Sequence, residues 1–124
     1  MRTTAVIQAA ISVLPSASRT TTQTQPDQAN VVAKGLVLIV DVTTAGTGSI
    51  TPKVQGKDAN GVYYDILVGS AITTVSTNKL IVYPGAAVTA NASANEPLPA
   101  VWRVIVTHNN ANAITYSVGA QLVG

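Results

Sequence analysis

The sequence predicts an all-β domain, a two-sheet β-sandwich of jelly-roll-like type with about eight or nine strands and an extended N-terminal arm. Three observations carry that expectation. Short apolar runs recur between clusters of Gly, Pro, Asn and Asp, the spacing of strands and turns in sandwiches and barrels. Hydrophobic residues make up 47% of the chain but aromatic residues only 4%, with no Phe. The apolar volume therefore comes from Val, Ile, Leu and Ala, and β-branched side chains suit a pleated, half-buried surface. Beyond residue 18 no helical periodicity of useful length is found. A closed barrel is the alternative. At 124 residues the chain can bury roughly two-thirds of its unfolded surface around one core. One sandwich over residues 31–124 is expected, preceded by residues 1–30 as an arm or edge strand.

Ala5 to Leu14 is a mostly apolar run behind Arg2, followed by Pro15-Ser16-Ala17-Ser18. It loosely imitates a secretory signal, but its basic region is minimal and Gln8 interrupts it. It is also too short to span a bilayer, which takes about 20 apolar residues. It reads as an N-terminal strand or arm. Arg19 to Gln25 is polar and extended, either an edge strand or a lead-in.

Leu36 to Val42 gives the clearest strand: Leu36, Leu38, Val40 and Val42 share one face, Val37, Ile39 and Asp41 the other. Both faces are apolar near the middle, which predicts a central strand. Ile50 to Gln55 follows a Gly-rich turn, and Pro52 makes it an edge or bulged strand because proline donates no ladder hydrogen bond. Asn60-Gly61 is the strongest turn signal and points to a type I′ hairpin leading into Val62 to Leu67. There Val62, Tyr64 and Ile66 share one face and Tyr63, Asp65 and Leu67 the other. Further strands are expected at Ala71–Val75, Lys79–Tyr83, Trp102–His108 and Ile114–Leu122, with Pro84-Gly85 and Asn109-Asn110 as turns and one longer connection from Tyr83 to Trp102.

Charged residues are only 10% of the chain, well under the roughly 25% of an average domain. Thr, Ser, Asn and Gln carry the polar surface, and desolvating them costs far less than desolvating Lys or Glu. Such a surface suits contact with partners. The seven Lys and Arg are scattered and the net charge is +2, so no basic stripe for nucleic acid forms. The absence of Cys removes disulfides and Cys-based zinc sites and fits a reducing compartment. No nucleic-acid, membrane or cofactor partner is expected.

Candidate chemistry is sparse, and a non-enzyme is expected. His108 is the only histidine, in phase with Trp102, Val104 and Val106, and reads as a structural imidazole beside a turn; catalysis would also need a nucleophile and an orienting group. Ser70, Ser76, Ser93 and Ser117 lack a nucleophile-elbow sequence. Among the five carboxylates, Asp41 and Asp65 sit within strands and Asp58 reads as turn chemistry. Asp58-Ala59-Asn60-Gly61 supplies too few oxygens for a calcium loop. Trp102 reads as a core anchor, with an exposed stacking platform for sugar or a partner hot spot as the functional alternative. Tyr63 and Tyr64 must point to opposite faces, which is expected to put at least one of them in the core and leave the other to be presented.

Gly35–Thr43, Val54–Leu67, Tyr83-Pro84-Gly85, Trp102–His108 and Thr115–Ala120 together resemble the small β-sandwich structural proteins of tailed bacteriophages, over roughly Ser18 to Leu122. The resemblance implies no catalytic residues. It implies a virion protein at the capsid surface, made in the host cytoplasm. Capsid decoration (cement) is favoured over a tail or baseplate role because the repeats or heptads of long fibres are missing. A carbohydrate-binding module, with Trp102 or Tyr63 as its stacking surface, is the competing reading. The implied partners are the major capsid protein and copies of itself, as a trimer or dimer. Anything that binds the assembled state preferentially stabilises it by mass action. Arg19, Thr21, Gln23, Gln25, Tyr63 and Trp102 form the expected interaction surface, with Arg19–Asn30 reaching a neighbour to add a strand to its sheet edge.

Overall fold

The computed structural model describes residues 8–124, so Ala5 to Ile7 of the apolar run lie outside the described residues. Ten strands follow one another: β1 (Gln8–Arg19), β2 (Gln23–Thr24), β3 (Gln28–Ala29), β4 (Gly35–Thr44), β5 (Ile50–Lys57), β6 (Tyr63–Val68), β7 (Ser76–Val82), β8 (Ser93–Ala94), β9 (Val101–His108) and β10 (Ile114–Val123). They form two sheets, β1-β10-β4-β7-β8 (sheet A) and β2-β9-β5-β6 (sheet B), with β3 also on β9. Taking β2 and β3 as one strand broken at Pro26, and setting aside the short parallel β8, eight strands remain. Their order is 1-8-3-6 in one sheet and 2-7-4-5 in the other, the path of a jelly roll.

Alternation builds the core. Leu36, Leu38, Val40 and Val42 of β4, Trp102, Val104 and Val106 of β9, and Ile114, Tyr116, Val118 and Ala120 of β10 are all buried between the sheets. β4 is central as expected, flanked by β10 and β7. Its second face, carrying Val37, Ile39 and Asp41, is not covered, and Ile39 is 37% exposed.

Four local expectations are corrected. β5 is an interior strand between β9 and β6, not an edge. Pro52 is tolerated because its carbonyl faces Gly69, whose N–H it accepts at 2.8 Å. A strand residue's N–H and C=O point the same way, so the missing donor faces the end of β6 and costs β9 nothing. The hairpin after β5 is not type I′. Gly61 N–H donates to Asp58 O and Asp58 N–H to Val62 O, and Gly61 alone of the turn has positive φ, 81°; this is a type I turn closed by a glycine bulge. Asp58 Oδ1 accepts the N–H groups of Asn60 and Val62 at 2.8 and 2.9 Å, the turn chemistry expected of it. On β6 a bulge opposes Val54 and Gln55 to Leu67 and Asp65, so Ile66 is the extra residue and both Ile66 and Leu67 turn inward. Ala71–Val75 contains no strand beyond one bridge, Ile72 to Ile50.

Residues 19–30 pair with their own domain. β2 and β3 lie antiparallel on β9, and β1 runs along β10 from Gln8 opposite Val123 to Arg19 opposite Ile114. Between β2 and β3 the register on β9 shifts by one residue, at Pro26. Gln25 bridges the gap: its N–H donates to Val104 O at 2.9 Å, and its side-chain Oε1 accepts the Val104 N–H at 3.0 Å. A side-chain amide thus replaces one backbone carbonyl.

Trp102 is 1% exposed, the largest buried side chain of the molecule's described part. Trp102→Ala is expected to cost about 3–5 kcal/mol of unfolding free energy, read as a drop in the denaturant midpoint; a loss below about 1 kcal/mol would mean the indole is not a core anchor.

Candidate interaction surface

The six residues expected to meet partners separate into three groups. Trp102 and Gln25 are buried, at 1% and 6% exposure, so neither is available to a partner or a sugar. Trp102 is in phase with the core-facing residues of β9, and Gln25 is used by the β9 ladder. Thr21 is exposed and its carbonyl accepts from Gln23 Nε2 at 2.8 Å, while Gln23 is half-buried and paired with Val106.

Arg19 has an internal task. Its guanidinium donates to Tyr116 O at 2.6 Å, to Ala17 O at 3.3 Å and to Pro15 O, and lies 4.8 Å from the centroid of the Tyr116 ring. β1 slips register twice between Ser12 and Ala17, and Arg19 collects the carbonyls that this irregularity frees. Tyr116 OH in turn shares a 2.8 Å hydrogen bond with His108 Nε2, while His108 Nδ1 is buried without a partner among the described residues. Burial first, and then the Arg19 charge, hold His108 below its ordinary value of 6.5. Burial pushes Tyr116 up to about 12. The histidine thus belongs to a polar cluster joining β1, β9 and β10.

Tyr63 belongs to the outer face of sheet B, in a chain of contacts crossing four segments. The Arg103 guanidinium lies 3.4 Å from the Tyr63 ring centroid. Tyr63 OH donates to Asp27 Oδ1 at 2.6 Å, and Lys57 Nζ donates to Asp27 Oδ2 at 2.9 Å. Arg103 Nε donates to Gln55 Oε1 at 2.9 Å, and Gln55 Nε2 to Asp65 Oδ1 at 2.8 Å, with Lys53 3.5 Å from the same oxygen. The Tyr63 and Lys57 hydrogen bonds hold Asp27 below its ordinary value, and the Gln55 hydrogen bond followed by Lys53 does the same for Asp65. Tyr64 points the other way, over Gly56, where a Cβ would come within 2.5 Å of its ring. Neither tyrosine enters the deep core.

Sheet A presents a different face. Its outward residues run in two rows across four strands, Ala10-Gln121-Val37-Ile81 and Ser12-Gly119-Ile39-Lys79, and one across three, Ser117-Asp41-Thr77. Over β1 and β10 the side chains are small except for Gln121, and over β4 and β7 they are larger except for Thr77. Among the described residues Asp41 and Lys79 are the charges on this face. Sequence reasoning placed no site here, although the alternation of β4 had already set Val37, Ile39 and Asp41 on its second face. A third surface lies at the end of the sandwich holding the β3–β4 loop and the β5–β6 hairpin, where Val31, Val32 and Val62 are 91%, 59% and 57% exposed. A groove of about 460 Å³ between Asp27, Ala29, Lys57, Asp58, Gly61 and Val101 opens beside that hairpin.

No protein-family model matches the sequence, and no curated protein matches it. Among solved structures the chain is similar to the SPBc2 prophage-derived protein YomS, with a TM-score of 0.60 and 11% identity over 100% of this chain and 99% of that one. It is also similar to a chain in the structure of infectious bursal disease virus, Gx strain, with a TM-score of 0.55 and 9% identity. The likeness covers 95% of this chain and about a third of that one, 32%. At these identities the shared property is the sandwich fold.

Two measurements check these networks. A histidine whose folded value is depressed binds its proton more readily in the unfolded chain, so stability falls as the pH drops below 6.5 and is regained above it. The melting temperature should decline from pH 7.5 to pH 5 in the native protein, and His108→Gln should flatten that slope. In Tyr63→Phe, Asp27 loses its largest stabilising contact and should titrate closer to 3.8, as followed by carboxyl-carbon NMR; an unmoved titration would mean that the 2.6 Å hydrogen bond is not formed in solution.

Proposed function

We propose that the protein is a structural component of a tailed-phage particle, a capsid decoration protein that binds the assembled head and stabilises it through subunit contacts. The observation that supports this reading is the jelly-roll path of this chain, taken with its likeness in fold to a prophage-derived protein over its whole length and to part of a chain in a virus structure. The surface chemistry supports it. Much of the charge is already neutralised within the sheet B network, while sheet A and the Val31, Val32 and Val62 end offer aliphatic and hydroxyl groups that lose little on leaving water. Area acts here, not a cleft. Binding many equivalent sites on a closed shell shifts the equilibrium toward the shell by mass action.

The valine end is the part of this surface assigned to the shell. Three exposed valines at one end suit insertion between capsid subunits, and the neighbouring hairpin is stiffened by Asp58. The carbohydrate reading built on Trp102 is not retained, because that ring is in the core.

The test is co-sedimentation with emptied tailed-phage shells lacking the protein. The native chain should pellet with shells and raise their disassembly temperature. A Val31→Ser, Val32→Ser, Val62→Ser triple variant, with an unchanged melting curve, should lose at least about tenfold in affinity, since several apolar anchors are removed at once. Failure of the native chain to pellet with shells would overturn the decoration role, and binding to isolated tails instead would move the assignment to a tail component.

A further inference from the structure

Val31 and Val32, at 91% and 59% exposure, are the only adjacent pair among the exposed large apolar residues of the described part. A single side chain closes the loop beneath them. Asn30 Oδ1 accepts the Ala33 N–H at 2.9 Å, and Asn30 Nδ2 donates to Ala33 O at 2.8 Å and to Leu98 O at 3.0 Å. One amide thus takes both backbone groups of Ala33, as a partner strand would, and ties the two ends of residues 30–33 to each other. The loop is also fastened from below, where Asn30 N–H donates to Ala100 O at 2.8 Å and Leu98 N–H to Lys34 O at 2.9 Å. Ala33 is buried. Val31 and Val32 take no part in these bonds, and their own N–H and C=O groups have no partner among the described residues.

Nothing in the fold requires apolar side chains at this tip, since neither valine reaches the core. We propose that Asn30 is the positioning residue of the valine end, an assignment that rests on the decoration reading: its amide holds Val31 and Val32 projecting before the shell is met, so docking does not have to order them. Fixing the backbone of one free residue lowers an equilibrium constant by about five- to thirtyfold, and two residues are spared that here. The side chains add to the effect, because β-branching leaves valine few χ1 rotamers to lose. The partner at this tip is protein and not lipid. Free backbone groups accompany the two valines; a protein surface can bond them, whereas hydrocarbon would take them out of water and offer no partner.

Relaxation and binding measurements test the assignment separately. Backbone amide order parameters at Val31 and Val32 should stand near about 0.85 in the native chain, the rigid value, and fall below about 0.6 in Asn30→Ala. The Ala33 amide should exchange with solvent at least about tenfold faster in that variant. On emptied shells, Asn30→Ala should bind about tenfold or more weakly than the native chain, at a temperature where both are folded. Asn30→Ser keeps an acceptor for the Ala33 N–H and loses the amide donors, and its affinity should fall between the two. In a Val31→Ser, Val32→Ser background, Asn30→Ala should cost less than about twofold in affinity while lowering the melting temperature as much as it does alone, because a residue acting through the valines then has nothing to position.

A native tip already below about 0.6, or an Asn30→Ala tip as rigid as the native one, overturns the positioning role and leaves the decoration reading standing. So does native-like shell binding by Asn30→Ala, or an equal loss of affinity in both backgrounds, the result that a merely structural asparagine gives. A native chain that ignores shells, or that floats with phosphatidylcholine vesicles in their place, overturns the decoration reading, and the positioning role falls with it.

Discussion

The structure depends on β10 fitting between two strands that are complete long before it. The last strand of the fold pairs with β1 on one side and β4 on the other, so sheet A is two separate pieces until β10 arrives. Its inward residues Ile114, Tyr116, Val118 and Ala120 must meet the core while its backbone satisfies both neighbours. The same requirement explains Arg19. β1 keeps register with β10 only by slipping twice, and the guanidinium binds the carbonyls left over. Pairing of chain segments this distant is slow to nucleate, since loop closure is unfavourable before the contacts repay it.

The two outer faces follow from how the strands divide the polar residues. Sheet B gathers Asp27, Lys53, Lys57, Asp65 and Arg103 into one chain of hydrogen bonds, ion pairs and a guanidinium–ring contact around Tyr63. Most of its charge is compensated internally. The outer face of sheet A carries only Asp41 and Lys79 as charges among the described residues, set between small, aliphatic and amide side chains. A protein with so few charges has little to spread over its surface, and concentrating them on one side leaves the other free for contact.

The fold was legible in the alternation of β4, β9 and β10, because one buried face imposes a period of two that turns cannot mask. Asp58 and Gly61 were legible as a turn, though not its type: Asn60-Gly61 suits more than one hairpin, and the Asp58 carboxylate selects the bulged one. Pro52 misled because a missing donor matters only on the side where a neighbour needs it. Gln25 misled because a polar residue in a Thr-rich stretch has no sequence mark of burial; the demand for it comes from Pro26 and from the Val104 N–H. Trp102 was legible as core, and its sugar-binding alternative falls with its burial. The sheet A face was not legible, because its shape arises from residues of four strands whose order only the topology supplies.

Gln25 also governs what the β2–β3 margin of sheet B offers to other polypeptides. An uninterrupted outer strand is a template on which a foreign segment can extend the sheet indefinitely, the route into fibrils. Here the outermost row is cut into two steps of two residues, out of phase by one, with an amide side chain occupying the gap. An incoming strand would find no run of free groups long enough to zip along. At high local concentration, as on a crowded lattice, such a margin lets neighbouring molecules sit side by side without fusing.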